Sequence, residues 1–295
     1  MRMLAALPNE LQLNIFKTFC DHCNYDFHDE YIPSSYQPLL NLCLTSKSIR
    51  HVAQNVLFHN FRHLDKHPLD SLACFAMTLH RNPNLANKVL RFSYIAFATP
   101  SFDNLGRSLV EQILRQTKNL QELQVHLHWC PKTIRHSSVK RLHIYNPYSA
   151  EAKISAISIE RISTGSLREL SINGYTIRPK PYICLPLRIR RLSLIDVHTN
   201  LVSFVKVIRP IEWFQWIDNA AESENPPDML AKILPWGKTL KEIHIQTKSW
   251  AIDCKKFHHF PLLRKGRLRC PIINQPRGRV MSLPSGVRLD FSSAE

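Results

Sequence analysis

The sequence predicts an α/β chain, with a short helical module first and an irregular array of strand-bearing repeats behind it. Two observations carry this prediction. Three amphipathic stretches fall within residues 7–61, and behind them an apolar-x-x-apolar-x-apolar spacing returns seven times. The first pattern follows the 3.6-residue period of helices, the second the alternation of half-buried strands.

Pro8 suits the first turn of a helix, where its missing N–H costs nothing. Behind it Leu11, Ile15, Phe16 and Phe19 share one helical stripe. A second apolar burst, Leu39, Leu40, Leu42 and Leu44, stops at Thr45-Ser46, which can cap the next helix. The third stretch carries Ile49, Val52, Ala53, Val56 and Leu57 at i, i+3, i+4, i+7 and i+8. Three short helices bury little surface alone, so this module is expected to dock on something.

The order of these residues resembles the F-box. The matches are Leu7-Pro8-Asn9-Glu10-Leu11 with Ile15, then Leu39-Leu40-Asn41-Leu42, then Ser46-Lys47-Ser48-Ile49-Arg50. The resemblance covers roughly a fifth of the chain. It implies docking on a Skp-type adaptor within a cullin–RING (SCF-type) ubiquitin ligase. The adaptor-binding residues it implies are Leu7, Pro8, Glu10, Leu11, Ile15, Leu39, Leu40, Leu42, Leu44 and Lys47.

One departure is the insert over 20–38, longer than the turn that joins the first two F-box helices. Tyr31 to Ser35 reads as extended or turning chain, because Pro33 disfavours helix before it. The insert holds Cys20-x-x-Cys23 with His22 and His28 nearby. That is half of a recognisable zinc spacing, so a polar surface loop without metal is expected, and no cofactor elsewhere.

After His67-Pro68, Leu69, Leu72, Ala73, Ala76 and Leu79 keep helical spacing until Asn82-Pro83-Asn84. The repeats come next as Val89-Phe92-Tyr94, Leu120-Leu123-Val125, Val139-Leu142-Ile144, Leu167-Leu170-Ile172, Ile189-Leu192-Leu194, Ile208-Ile211-Trp213 and Leu240-Ile243-Ile245. Their intervals of 31, 19, 28, 22, 19 and 32 residues resemble those of leucine-rich repeats. Candidate helices lie between them: Leu105, Leu109, Ile113 and Leu114; Leu201, Phe204, Val205 and Ile208; Met229, Leu230, Ile233 and Leu234. Strand, return and strand again is the logic of an α/β solenoid, here an irregular leucine-rich-repeat-like one without its usual Asn ladder. Leu263-x-x-Gly266-x-Leu268 resembles one more copy with Gly at its centre. The expected organisation is a helical module over 1–64, the array over 65–268 and a mobile basic Pro/Ser/Arg tail over 269–295.

The net charge of +16 is uneven. Residues 1–64 balance five basic residues against five acids, so the excess belongs to the rest. Charge alone does not choose among nucleic acid, lipid and acidic protein. A basic scaffold binding nucleic acid or an acidic protein without ligase assembly is therefore the competing reading. Against nucleic acid, the Lys and Arg residues alternate with acids and lack the aromatic interleaving of a stacking platform. No uncharged run approaches the ~20 residues needed to span a bilayer, and residues 1–7 are too short for a signal peptide. Eight scattered cysteines read as reduced thiols in the cytoplasm or nucleus.

No Gly-rich phosphate loop, G-x-S-x-G elbow or His-Glu-x-x-His pair occurs, so a non-enzymatic function is expected. If the repeat leucines point to the core, alternate residues face out in columns. The first column runs Arg91, Glu122, Arg141, Glu169, Arg191, Pro210 and Glu242, alternating in sign. The next runs Ser93, Gln124, His143, Ser171, Ser193, Glu212 and His244. The third runs Ile95, His126, Tyr145, Asn173, Ile195, Phe214 and Gln246. A protein substrate is expected to meet His126, Tyr145, Asn173 and Phe214, with His143 and Arg141 beside them.

Overall fold

The computed structural model describes residues 2–20, 23, 37–62, 68–94, 103–126, 138–145, 156–157, 165–174, 176–177, 189–199, 211–218, 229–247, 252–269, 272–273, 280–282 and 288–291. It is mixed α/β and falls into two compact units, Met1–Pro131 and Lys132–Glu295.

The first unit opens with helices Arg2–Ala5, Asn9–Lys17, Gln37–Cys43 and Lys47–Leu57. The last of these packs against the two before it. Ser46 caps it as the sequence predicts, its hydroxyl accepting from the Ile49 N–H at 3.3 Å. Ile49, Val52, Ala53 and Val56 are buried, and Leu57 packs at their edge. Arg50 donates through Nε to the Cys43 carbonyl at 2.8 Å, tying the third amphipathic helix to the end of the second.

Strand β1 (Asn60–Arg62) then leads to helix Pro68–Arg81, the short helix Pro83–Ala86 and strand β2 (Arg91–Tyr94). Helix Asp103–Gln116 and strand β3 (Glu122–His126) close the unit, with β1, β2 and β3 paired in parallel. Phe61 stacks on Phe75 at 4.0 Å and on Phe92 at 5.4 Å, fastening strand to helix. The helix Asp103–Gln116 buries Val110 and Ile113, while Leu105 is exposed. Its inward stripe therefore runs through Val110, Ile113 and Thr117 rather than starting at Leu105.

The second unit contains β4 (Arg141–Tyr145), β5 (Ala156–Ile157), β6 (Glu169–Asn173), β7 (Thr176–Ile177), β8 (Arg191–Ile195), β9 (His198–Thr199) and β10 (Trp213–Asp218). Helix Met229–Ile233, a 3-10 turn over Leu234–Trp236 and β11 (Glu242–Thr247) follow. After them come β12 (Ile252–Asp253), a 3-10 helix over Cys254–His259, β13 (Lys265–Arg269), β14 (Ile272–Ile273), β15 (Val280–Ser282) and β16 (Arg288–Phe291). The main ladder runs β4, β6, β8, β10, β11, β13, β16, all parallel, with β15 antiparallel on β16. Smaller parallel ladders join β5 to β7 to β9 and β12 to β14. Gly174 (φ 73) and Asp196 (φ 48) turn the chain out of β6 and β8 toward the β7–β9 ladder. Gly adopts this left-handed conformation freely, and Asp is among the residues that tolerate it.

In the described residues the predicted apolar triads form the core. Val89, Phe92 and Tyr94 are fully buried, as are Leu120, Leu123 and Val125, and Leu167, Leu170 and Ile172. The copy with Gly266 at its centre is present: Gly266 pairs with Ile243 between buried Leu263 and Leu268. One register differs from the sequence reading. The sixth copy is Ile211-Phe214-Trp216, not Ile208-Ile211-Trp213, since Phe214 and Trp216 pair with Leu192 and Leu194. Both frames satisfy the apolar spacing. The discriminating signal is Pro210, which the first frame would place at the head of the strand. At that position Glu169, Arg191, Trp213, Glu242 and Lys265 each donate an N–H to the preceding strand's lead-in carbonyl, which proline cannot do.

Residues 269–295, expected as a mobile tail, contribute β14, β15 and β16. The predicted helix through Leu201, Phe204, Val205 and Ile208 lies outside the described residues, as does the turn over Tyr31 to Ser35.

The register is testable by truncation. Phe214→Ala removes a fully buried ring and is expected to cost about 3–5 kcal/mol in denaturant unfolding. Trp213→Ala, on the half-buried neighbour, should cost about 1 kcal/mol or less, mostly the 4.7 Å contact with Arg191. Reversed costs would restore the frame with Ile211 and Trp213 inward.

Candidate functional site

Each of the first two amphipathic helices carries two apolar stripes, offset by one residue. In Asn9–Lys17 and the turn after it, Gln12, Phe16 and Cys20 are buried, while Leu11, Ile15 and Phe19 are 49%, 37% and 41% exposed. In Gln37–Cys43, Leu39 and Cys43 face inward, while Leu40 and Leu44 face out at 42% and 78%. Residues four apart lie on one helix face, so each helix spends one stripe on the core and keeps a second outside it. This separates the implied adaptor residues. Pro8, Glu10, Leu11, Ile15, Leu40, Leu44 and Lys47 lie at the surface, and Leu7 is half-buried. Leu39 is a correction, being a core residue at 1% exposure, and Leu42 packs partly against the same core. The i+4 partner of Leu39, Cys43, points the same way, which fixes that face inward.

The strand residues also divide. Tyr145 and Asn173 are adjacent partners and both half-buried. Arg141 meets Glu169 at 3.7 Å and Arg91 meets Glu122 at 3.5 Å, so the first column is neutralised in part, at these two pairs. His143 is buried at 6%, beside Ser171 and Ser193 at 9% and 2%. The middle column is therefore not a solvated row along β4, β6 and β8. Phe214 is a second correction: it belongs to the core, and Gln215 and Ile217 take the places assigned to Glu212 and Phe214. His126 closes β3, and its side chain lies outside those described.

The Cys20–Cys23 pair gains a neighbour that sequence spacing could not supply. Cys23 Sγ lies 3.8 Å from Nδ1 of His59, thirty-six positions away. A hydrogen bond from Cys20 lowers the Cys23 thiol to about 7, while the same bond and burial raise that of Cys20.

A polar chain across β8, β10 and β11 joins Ser193 and His244 of the middle column through Gln215, which the sequence frame replaces by Glu212. Ser193 Oγ donates to Gln215 Oε1 at 2.8 Å, which leaves Gln215 Nε2 to donate to His244 Nδ1 at 3.0 Å. Burial, with Arg267 and Arg269 adding positive charge, pushes His244 down to about 4. Because the folded state holds His244 neutral and the unfolded chain protonates it near 6.5, its contribution to stability is present above pH 6.5. It is lost as pH falls from there through about 4. Denaturant midpoints should drop between pH 7 and pH 5, and His244→Gln should flatten that drop. An unchanged slope in the variant would remove His244 as its source.

Compared with known proteins, the chain matches no family model and no curated protein.

Proposed function

We propose that this chain is the substrate-recognition subunit of an SCF-type (cullin–RING) ubiquitin ligase, its N-terminal helices forming an F-box-like module that docks on a Skp-type adaptor. The carrying observation is the second apolar stripe. Leu11, Ile15, Phe19, Leu40 and Leu44 are surplus to a core already filled by Phe16, Leu39, Ile49, Val52 and Val56. Exposed apolar side chains grouped on two helices of one module favour a partner surface over scattered solvation. The resemblance through Leu7-Pro8-Asn9-Glu10-Leu11 and Ser46-Lys47-Ser48-Ile49-Arg50 supplies the identity of that partner.

Recurring buried triads and parallel pairing within each unit support a leucine-rich-repeat-like solenoid as the substrate reader. Within it, Tyr145 and Asn173 are the residues assigned to a protein substrate, with Arg141 at the opposite end of β4. The nucleic-acid alternative is weakened by pairing: Arg91, Arg141 and Lys241 each lie against a carboxylate. At these three positions the positive charge is already committed to a carboxylate and is offset toward phosphate.

The test is binding of the full chain to a purified Skp-type adaptor. Leu11→Ala with Leu40→Ala should weaken it at least tenfold while leaving the thermal midpoint unchanged. Leu39→Ala should instead destabilise the chain, by about 2–5 kcal/mol. Undiminished adaptor binding by the double variant would overturn the proposed surface.

A further inference from the structure

Cys20, Cys23 and His59 come from two distant parts of the first unit, yet one donor atom from each lies within 4.8 Å of the other two. Local backbone accounts for the cysteine pair. The Cys20 N–H bonds to the Lys17 carbonyl, and the Cys23 N–H bonds to the Cys20 carbonyl, both at 3.0 Å. This turn brings the pair together where the first amphipathic helix ends. His59 is fixed separately. Its N–H meets the Val56 carbonyl at 3.1 Å, and its own carbonyl accepts from Leu90 and Arg91 at 2.9 and 2.8 Å. The imidazole is thus carried on backbone pinned between helix Lys47–Leu57 and β1.

We propose that Cys20, Cys23 and His59 bind a zinc ion, the cysteines as thiolates, the histidine through a ring nitrogen and a water molecule in the fourth position. Two sulfurs and one imidazole nitrogen are a donor set that suits zinc and disfavours magnesium or calcium, which take oxygen. With Zn–S near 2.3 Å and Zn–N near 2.0–2.1 Å, tetrahedral ligands stand about 3.5–3.8 Å apart. The 3.8 Å between Cys23 Sγ and His59 Nδ1 already meets that spacing. Binding releases the thiol protons and exchanges them for metal–sulfur bonds, with no change of oxidation state.

A Cys20–Cys23 disulfide is the competing chemistry, but it would close only a very short loop. Zinc uses all three groups. It staples the end of the first helix to the junction of the third helix with β1. Zinc binding here is independent of adaptor docking.

The experiment uses the full chain, purified reduced and without chelator, then titrated with zinc alone against a chromophoric competitor. One equivalent should bind, and cobalt in its place should show the visible bands of a tetrahedral thiolate site. Cys23 is exposed, so Cys23→Ala should fold, and it and His59→Gln should each weaken zinc at least tenfold. Chelation should lower the thermal midpoint of the parent chain and leave that of Cys23→Ala unchanged. The proposal fails if the reduced chain binds no stoichiometric zinc, or if both variants keep the parent affinity. It fails too if the purified chain carries a Cys20–Cys23 disulfide and shows no zinc affinity after reduction.

Discussion

At the heads of seven described strands a single carbonyl accepts two successive N–H groups from the next strand, and the register of the parallel ladders depends on this junction. Lys140 receives Arg168 and Glu169, Arg168 receives Arg190 and Arg191, and Arg190 receives Glu212 and Trp213. Glu212 then receives Lys241 and Glu242, and Lys241 receives Arg264 and Lys265. His59 and Leu90 play the same part in the first unit. A carbonyl has two lone pairs, so the arrangement satisfies three polar groups at once. It also fixes register. A one-residue slip would turn every Leu and Ile of a strand onto the opposite face, and the shared carbonyl forbids it. Leu170 and Ile172 therefore stack on Leu192 and Leu194, and those on Phe214 and Trp216.

With register fixed, charges at the strand heads are brought opposite one another rather than left to solvent. Glu122 and Glu169 are buried to within a few per cent and sit beside Arg91 and Arg141. A carboxylate removed from water needs a partner, and the alternating signs supply one in the neighbouring strand. Toward the C-terminal end the pattern opens. β10 and β11 alternate buried and half-buried residues, and β13 alternates buried with exposed ones. A basic composition thus yields less free charge on the strands than its total implies. At the ends of β4 and β6 it leaves Tyr145 beside Asn173, an uncharged, half-buried pair.

The N-terminal helices solve a different problem. A module this small lacks the volume to bury every apolar side chain its sequence carries. The third amphipathic helix gives its whole apolar face to the core, held by the Ser46 cap and the Arg50 bond to Cys43. The first two helices divide theirs. One stripe fills the core, the other stays at the surface, and the Cys20–Cys23 turn with His59 lies at the end of the first.

Periodicity is enough to find the three helices, the Ser46 cap, the buried triads and the Gly266 copy, because each is a local pattern that the backbone period converts directly into a face. It also implies that charges of alternating sign would meet. Apolar spacing does not decide the frame around Phe214, since the run Trp213, Phe214, Trp216 satisfies two spacings; Pro210 argues against one, and pairing with Leu192 and Leu194 gives the other. Two things are decided only by tertiary structure. The division between Leu39 and Leu40 depends on which side the third helix approaches, since both residues belong to one apolar burst. His59 joins Cys20 and Cys23 only because helix Lys47–Leu57 returns the chain to the end of the first helix, and contact between residues so far apart in sequence leaves no periodic trace.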